Sequence, residues 1–248
     1  MEHGICKLCR EDKPLCSSHI IPEFLYRPLY DDNHRAIEVS LIPKKAHLLQ
    51  KGYREPLLCF ECEQRINKYE VYFRDIWYEK KKLPPVVMRQ YVEINGIDYT
   101  LFKLFHLSIV WRASVASRKE FGQVQLGPHE DSMRRMLLEG NAGNENQYGL
   151  LVAVLVDSAT NTVRSDLIIE PVSTRVENHK AYLFVFGGCG WYYCISNHPS
   201  PPFVRRLFSK TGTLYAIKVD WLKFPLVKNF AQRFRNRFAV EEAPGSRK

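Results

Sequence analysis

The sequence predicts an α+β protein in two parts: a metal-clamped amino-terminal unit over residues 1–84, and an α+β part over 85–248 in which a helical segment precedes an antiparallel sheet. Three observations carry this. Two Cys-x-x-Cys pairs, Cys6/Cys9 and Cys59/Cys62, flank a segment that contains Ser17-Ser18-His19-Ile20-Ile21-Pro22. Apolar residues recur at three and four over 62–82 and again over 101–117, the spacing of helix faces packed on a core. After Tyr148 the chain changes to short apolar runs parted by turn residues, which argues for antiparallel strands with short connections.

Composition bounds the answer. At 248 residues, 45% apolar and 25% charged, the chain can bury an ordinary core in one large or two small domains. No run of about 18 apolar residues is present, so no membrane span is expected. The opening Met-Glu-His-Gly-Ile-Cys has neither the basic nor the apolar region of a secretory signal. That predicts a cytoplasmic protein, where thiols stay reduced and clustered cysteines mean metal more often than disulfide. A net charge of +9 and a pI near 9.2 favour polyanions and make nucleic acid, DNA before RNA, the leading partner. Plain solubility is the alternative reading of that charge, and a protein partner or homo-oligomer stays open.

Each Cys pair is spaced to wrap a chain turn around one tetrahedral ion, so Cys6, Cys9, Cys59 and Cys62 predict a structural Zn²⁺ site. The clamp would join the first turn of the chain to a helix beginning near Glu63 and order the His19 segment between them. Of the remaining cysteines, Cys16 lies close enough to replace a ligand but breaks the paired spacing, while Cys189 and Cys194 lie in apolar strand sequence as buried thiols.

Taken in order, residues 5–16 read as a knuckle and short strand with a turn at Asp12-Lys13-Pro14. Ser18–Ile21 reads as a strand end that Pro22 stops. Residues 23–30 suggest a short helix or turn, 31–34 a polar loop, and 36–42 a strand. Lys44, Lys45, Lys51 and Arg54 surround Tyr53 in a basic loop, suited to phosphates and a base, or equally to solvent. On the 62–82 helix, Glu63, Asn67 and Glu70 share a face. Their oxygens suit Mg²⁺ or Mn²⁺ beneath His19. A plainer reading has Glu63 favoured by the helix dipole and Glu70 paired with Arg65 or Arg74.

Lys80-Lys81-Lys82-Leu83-Pro84-Pro85 closes the first part. Beyond it come a strand or extended segment over 86–93, an Asn95-Gly96 hairpin turn, and a buried helix over 101–117 in which His106 reads as a satisfied core or surface histidine, not a ligand. Pro128, Glu130, Asp131 and Gly140 mark the ends of another helix. Strands follow over 148–156, 166–172, 180–186, 191–196 and 213–219, with Gly187-Gly188-Cys189-Gly190 as a hairpin corner. The tail, with Phe230, Phe234 and Phe238 every four residues and Arg233, Arg235 and Arg237 among them, reads as a basic amphipathic helix facing phosphates.

The residues Cys6/Cys9, "SHIIP" and "LLCxxCE" resemble the zinc-bearing, four-cysteine branch of the HNH (His-Me finger) endonucleases, over roughly the first seventy residues. The resemblance implies a zinc-bound ββα, treble-clef-like unit. His19 would be the general base, Cys6, Cys9, Cys59 and Cys62 would hold structural zinc, and helix residues including Glu63 would hold a catalytic divalent metal. It implies metal-dependent hydrolysis of DNA phosphodiesters, in a setting such as bacterial mobile elements or antiphage defence. Ser18 stands where the family often has Asp or Glu, Glu63 stands where it has His or Asn, and its middle Asn has no clear counterpart. Those departures support the alternative, a catalytically inactive zinc-dependent nucleic-acid-binding protein. A scaffold for a protein partner is a third reading, distinguished by weak salt dependence.

Overall fold

A computed structural model of the chain describes residues 2–33, 36–40, 45–49, 52–79, 81–196 and 207–227, with side chains described outside 36–40 and 45–49. Among the described residues, five short strands, a 3-10 helix and one long helix make the amino-terminal part. They are β1 (His3–Ile5), β2 (Asp12–His19), then after a 3-10 helix over Glu23–Leu29 the hairpin β3 (Ala36–Ser40) and β4 (Lys45–Leu49), followed by β5 (Arg54–Cys59) and α1 (Phe60–Trp77). β1, β2 and β5 form an antiparallel sheet, with Leu15 opposite Cys59 and His19 opposite Arg54.

Two local expectations change here. Asp12-Lys13-Pro14 is strand, because the chain has already reversed over Lys7–Arg10, where Arg10 takes φ 66° and its N–H donates to the Cys6 carbonyl at 2.8 Å. The basic segment beyond Lys44 is partly strand, since β4 gains backbone partners from β3 that its side-chain charges could not predict. α1 starts at Phe60 with Cys59 as its extended N-cap, and buries Ile66, Tyr69, Phe73 and Ile76 on one face.

The second part continues with β6 (Val86–Val87), β7 (Tyr91–Ile94), α2 (Tyr99–Val115), a 3-10 turn at Lys119–Phe121, α3 (His129–Glu139), β8 (Leu150–Asp157), β9 (Thr162–Val163), β10 (Ile169–Val176), β11 (His179–Phe186), β12 (Cys189–Cys194) and β13 (Leu214–Asp220). The segment 86–93 is thus two short strands paired as a hairpin, and Asn95-Gly96 leads into a helix instead of a strand. Asp98 caps that helix, its carboxylate accepting from Leu101 N–H at 2.8 Å. α2 is apolar nearly all round because it is buried all round, from Phe102 to Ala113. α3 ends where expected, at Gly140 with φ 71°. At the β11–β12 corner Gly187 and Gly188 take φ 61° and 80°, the twist that suits a two-residue hairpin.

The large sheet runs β10-β11-β12-β8-β13-β7-β6. Its pairs are antiparallel except β13 with β8, which run parallel, Ala216 opposite Val152. Strand periodicity in sequence reports the buried face and not strand direction, so the mixed pairing had no sequence signal. One core joins the sheet to both long helices. Phe73 of α1 stacks on Phe105 of α2 at 4.0 Å between ring centroids and meets Trp191 of β12 edge-on at 6.1 Å. His106 sits inside this aromatic cluster, its Nδ1 2.9 Å from the Tyr193 hydroxyl, and burial holds its pKa well below the usual value. A smaller cluster on the other sheet face packs Leu155, Leu183 and Val185 under Phe224 and Val227. Among the described residues no helix is long and apolar enough to cross a membrane.

Lys103 is an exception within α2. It is buried, and burial pulls its pKa down to about 7. Its ammonium donates to Tyr99 Oη at 3.0 Å and to the carbonyls of Asn144 and Gln147 at 2.5 and 2.6 Å, pinning the loop after α3 onto the helix. Lys103→Met is expected to destabilise the fold by about 2 kcal/mol or more, because two carbonyls lose their donor in a place water reaches poorly. A urea-unfolding midpoint checks it.

Candidate metal centre and histidine site

Cys6, Cys9, Cys59 and Cys62 bring their sulfurs within 4.8 Å of one another. The set is assembled from the knuckle after β1 and the junction of β5 with α1. Cys59 N-caps the helix and Cys62 lies in its first turn, while Lys7 N–H donates to the Leu57 carbonyl at 3.0 Å and so holds the knuckle on β5. Cys9 Sγ and Cys59 Sγ are 3.9 Å apart. Tetrahedral zinc with sulfurs at ~2.3 Å separates them by about 3.8 Å, so the spacing fits the ion. All four are free thiols, and Cys16 is outside the set.

The electrostatics of the four thiols also fit a cation. A hydrogen bond from Cys62 is the main cause holding the Cys6 thiol down, at about 4, with burial opposing it. Burial pushes Cys59 up to about 12, and the neighbouring Cys6 thiolate with burial pushes Cys62 still higher. Without an ion, Cys6 carries charge more readily than Cys59 or Cys62. A divalent cation removes the mutual repulsion and stabilises all four as thiolates.

The knuckle is tied to the rest of the protein as well. Arg134 of α3 donates to the Leu8 carbonyl at 2.9 Å, and Arg10 pairs with Asp131 at 2.5 Å.

His19 ends β2, its side chain 20% exposed. Its Nε2 is 3.7 Å from Oε2 of Glu23, the first residue of the 3-10 helix. Arg54 is its cross-strand partner. Tyr30 closes the same corner: burial raises its phenol pKa, Glu23 adds to that rise, and Arg54 opposes it. Ser18 points the other way and is buried, its hydroxyl accepting from Leu58 N–H at 3.1 Å and donating to the Cys16 carbonyl at 3.4 Å.

The three helix residues differ from one another. Glu63 is partly buried, with Oε1 enclosed and lacking a hydrogen-bond partner among the described residues. It lies near Cys16, whose thiol is raised chiefly by burial and then by the Glu63 charge. Asn67 is exposed. Glu70 Oε1 is 2.7 Å from Arg112 Nη2, an ion-pair contact with α2 in place of Arg65 or Arg74; Arg74 instead pairs with Asp75 and Glu79. The Cys set is the only group of three or more such ligands among the described residues.

Of the basic residues expected from the sequence to meet nucleic acid, only Arg54 has a described side chain. Lys44, Lys51, Arg233, Arg235 and Arg237 lie outside the described residues, and Lys45 is described only in its backbone, at the start of β4. Two residues near His19 escaped sequence reading. Glu23 had a weak signal, its i+4 spacing from His19. Arg112 had a better one, a lone guanidinium late in an apolar helix, which when buried must find partners. Comparison with family models, with curated proteins and with solved structures finds no match for this chain.

Proposed function

We propose that this protein is a metal-dependent endonuclease of the HNH type, cutting DNA phosphodiesters at the corner formed by His19, Glu23 and Arg54. The observation that carries the reading is His19 itself: a partly exposed imidazole at a strand end, beside an acid at 3.7 Å and across from a cation, on a strand whose sheet partner runs into the four-sulfur cluster.

In this reading the His19 imidazole takes a proton from water as the water attacks phosphorus. Glu23 stabilises the imidazolium that results. Arg54 meets the phosphate oxygens and fixes their register against the ring. Zinc supplies no chemistry and holds β5, α1 and the knuckle together. A catalytic Mg²⁺ or Mn²⁺ would be held by Glu63, whose enclosed Oε1 wants a partner, with Asn67 beside it; Glu70 fits such a role poorly, being paired with Arg112. Such an ion is commonly bound by one or two protein oxygens with substrate phosphate and water, and it supplies charge neutralisation at the leaving oxygen.

The second reading, nucleic-acid binding without cleavage, has its own observation. Ser18 is buried and bonded to β5, so the position before His19 offers no metal ligand. Either reading predicts that affinity for a DNA duplex falls steeply with salt, with a slope of log K on log salt of about −0.9 per neutralised phosphate. A flat salt response in a fluorescence-anisotropy titration would favour a protein-binding scaffold instead. Nicking of supercoiled plasmid with Mg²⁺ or Mn²⁺ separates the first two readings.

A further inference from the structure

We infer that Arg112 is a positioning residue for His19, so that the cutting site is completed by α2, an element outside the zinc-clamped part; the inference rests on the proposed nuclease reading for its kinetic arm alone. Arg112 is buried. Its guanidinium reaches three segments at once. Nε donates to the Ser108 carbonyl at 3.1 Å and Nη2 to Ser108 Oγ at 3.3 Å, which fixes the fork against its own helix. Nη1 donates to the His19 carbonyl at 2.6 Å. Nη2 also lies 2.7 Å from Glu70 of α1.

A planar five-donor fork held on one side leaves little freedom to what it grips on the other. The gripped atom is the backbone of the residue that carries the imidazole, and the direction of that carbonyl sets where the β2 strand end aims the ring. A second tie lies on the partner strand. Glu55 of β5 accepts from Ser117 N–H at 2.9 Å and from Ser117 Oγ at 2.8 Å, just past the end of α2. The carboxyl end of α2 is therefore fastened to both strands that flank His19. A buried charge pair is a costly way to fill space, and apolar residues would pack α2 on α1 more cheaply. Its use where α2 meets His19 argues for orientation. Misplacing a catalytic group by about 1 Å lowers rate by about 100-fold.

The test uses the full chain, with Arg112→Lys and, as a variant that leaves no unpaired buried acid, the double change Arg112→Met/Glu70→Gln. Plasmid nicking with Mn²⁺ gives kcat and KM, thermal melting gives stability, and ¹H–¹⁵N spectra report the histidine rings, with His129, whose Nδ1 lies 3.2 Å from the Tyr148 hydroxyl, as internal reference. The expected result is a kcat lower by about 100-fold with KM near wild type, and His19 ring signals that shift and broaden while those of His129 stay. Folded variants with wild-type kcat and an unmoved His19 ring would overturn the inference. If neither wild type nor His19→Ala nicks DNA, the nuclease reading has failed. The ring spectra then decide the Arg112 role alone: a shifted His19 supports it and an unshifted one overturns it.

Discussion

His19→Ala is expected to lower Mg²⁺- or Mn²⁺-dependent nicking by about 10²–10⁴-fold, the usual contribution of a positioned general base. DNA affinity and zinc content should not change. The separation follows from geometry. The imidazole lies at a strand end and reaches solvent, so water can fill the space its removal leaves. Arg54 and the sulfurs are held by other contacts, the one by β-pairing with β2 and the others by the knuckle and helix cap. Equilibrium binding, zinc analysis and plasmid nicking on the same preparation check all three statements. Wild-type nicking in the variant would remove His19 from the mechanism. Inactive wild-type protein that still binds DNA with a steep salt dependence would move the balance to the non-cutting reading.

Cys59→Ser is expected to have the largest effect on stability. Structural zinc in small sites contributes apparent binding free energies of about 10–16 kcal/mol near neutral pH, and this energy is folding energy for the segments it joins. Here those segments are the knuckle, β5 and the start of α1. Their loss should release Leu8 and Arg10 of the knuckle from Arg134 and Asp131 of α3. The core around Phe73, Phe105 and Trp191 buries much apolar surface without the ion and should outlast the knuckle. The expected signature is two transitions, with amide exchange rising first over 3–19 and 54–62. The pH dependence has a definite sign. Cys59 and Cys62 ionise only far above neutrality without a cation, so binding releases protons and acidification releases the ion. A zinc-indicator titration from neutral toward acid pH measures it; zinc retained by Cys59→Ser with wild-type affinity would refute a four-sulfur site.

Much of the site was legible because its signals are local. Cysteine spacing located the four sulfurs, and their closeness in the fold agrees with it. The i, i+4, i+7 spacing put Glu63, Asn67 and Glu70 on one side of α1, and α1 does run through all three. Proline, acids and glycine framed α3 closely, and two adjacent glycines marked the β11–β12 corner. Where the reading slipped, the deciding interaction was distant. The β3–β4 hairpin, the helix that follows Asn95-Gly96 and the parallel pairing of β13 with β8 each depend on a partner segment that local preference does not name.

By itself the sequence determined the four-sulfur cluster, the helix faces and the run of short strands after Tyr148, since each follows from spacing along one stretch of chain. Only the tertiary structure decided what surrounds His19: Glu23 near its ring, Arg54 across the sheet, and Arg112 reaching from α2 to its carbonyl and to Glu70. The reason is physical. A buried guanidinium must be paired, but nothing in its neighbours along the chain says with what. The choice between an acid left open for a metal and one already paired is made where two helices and a strand end meet.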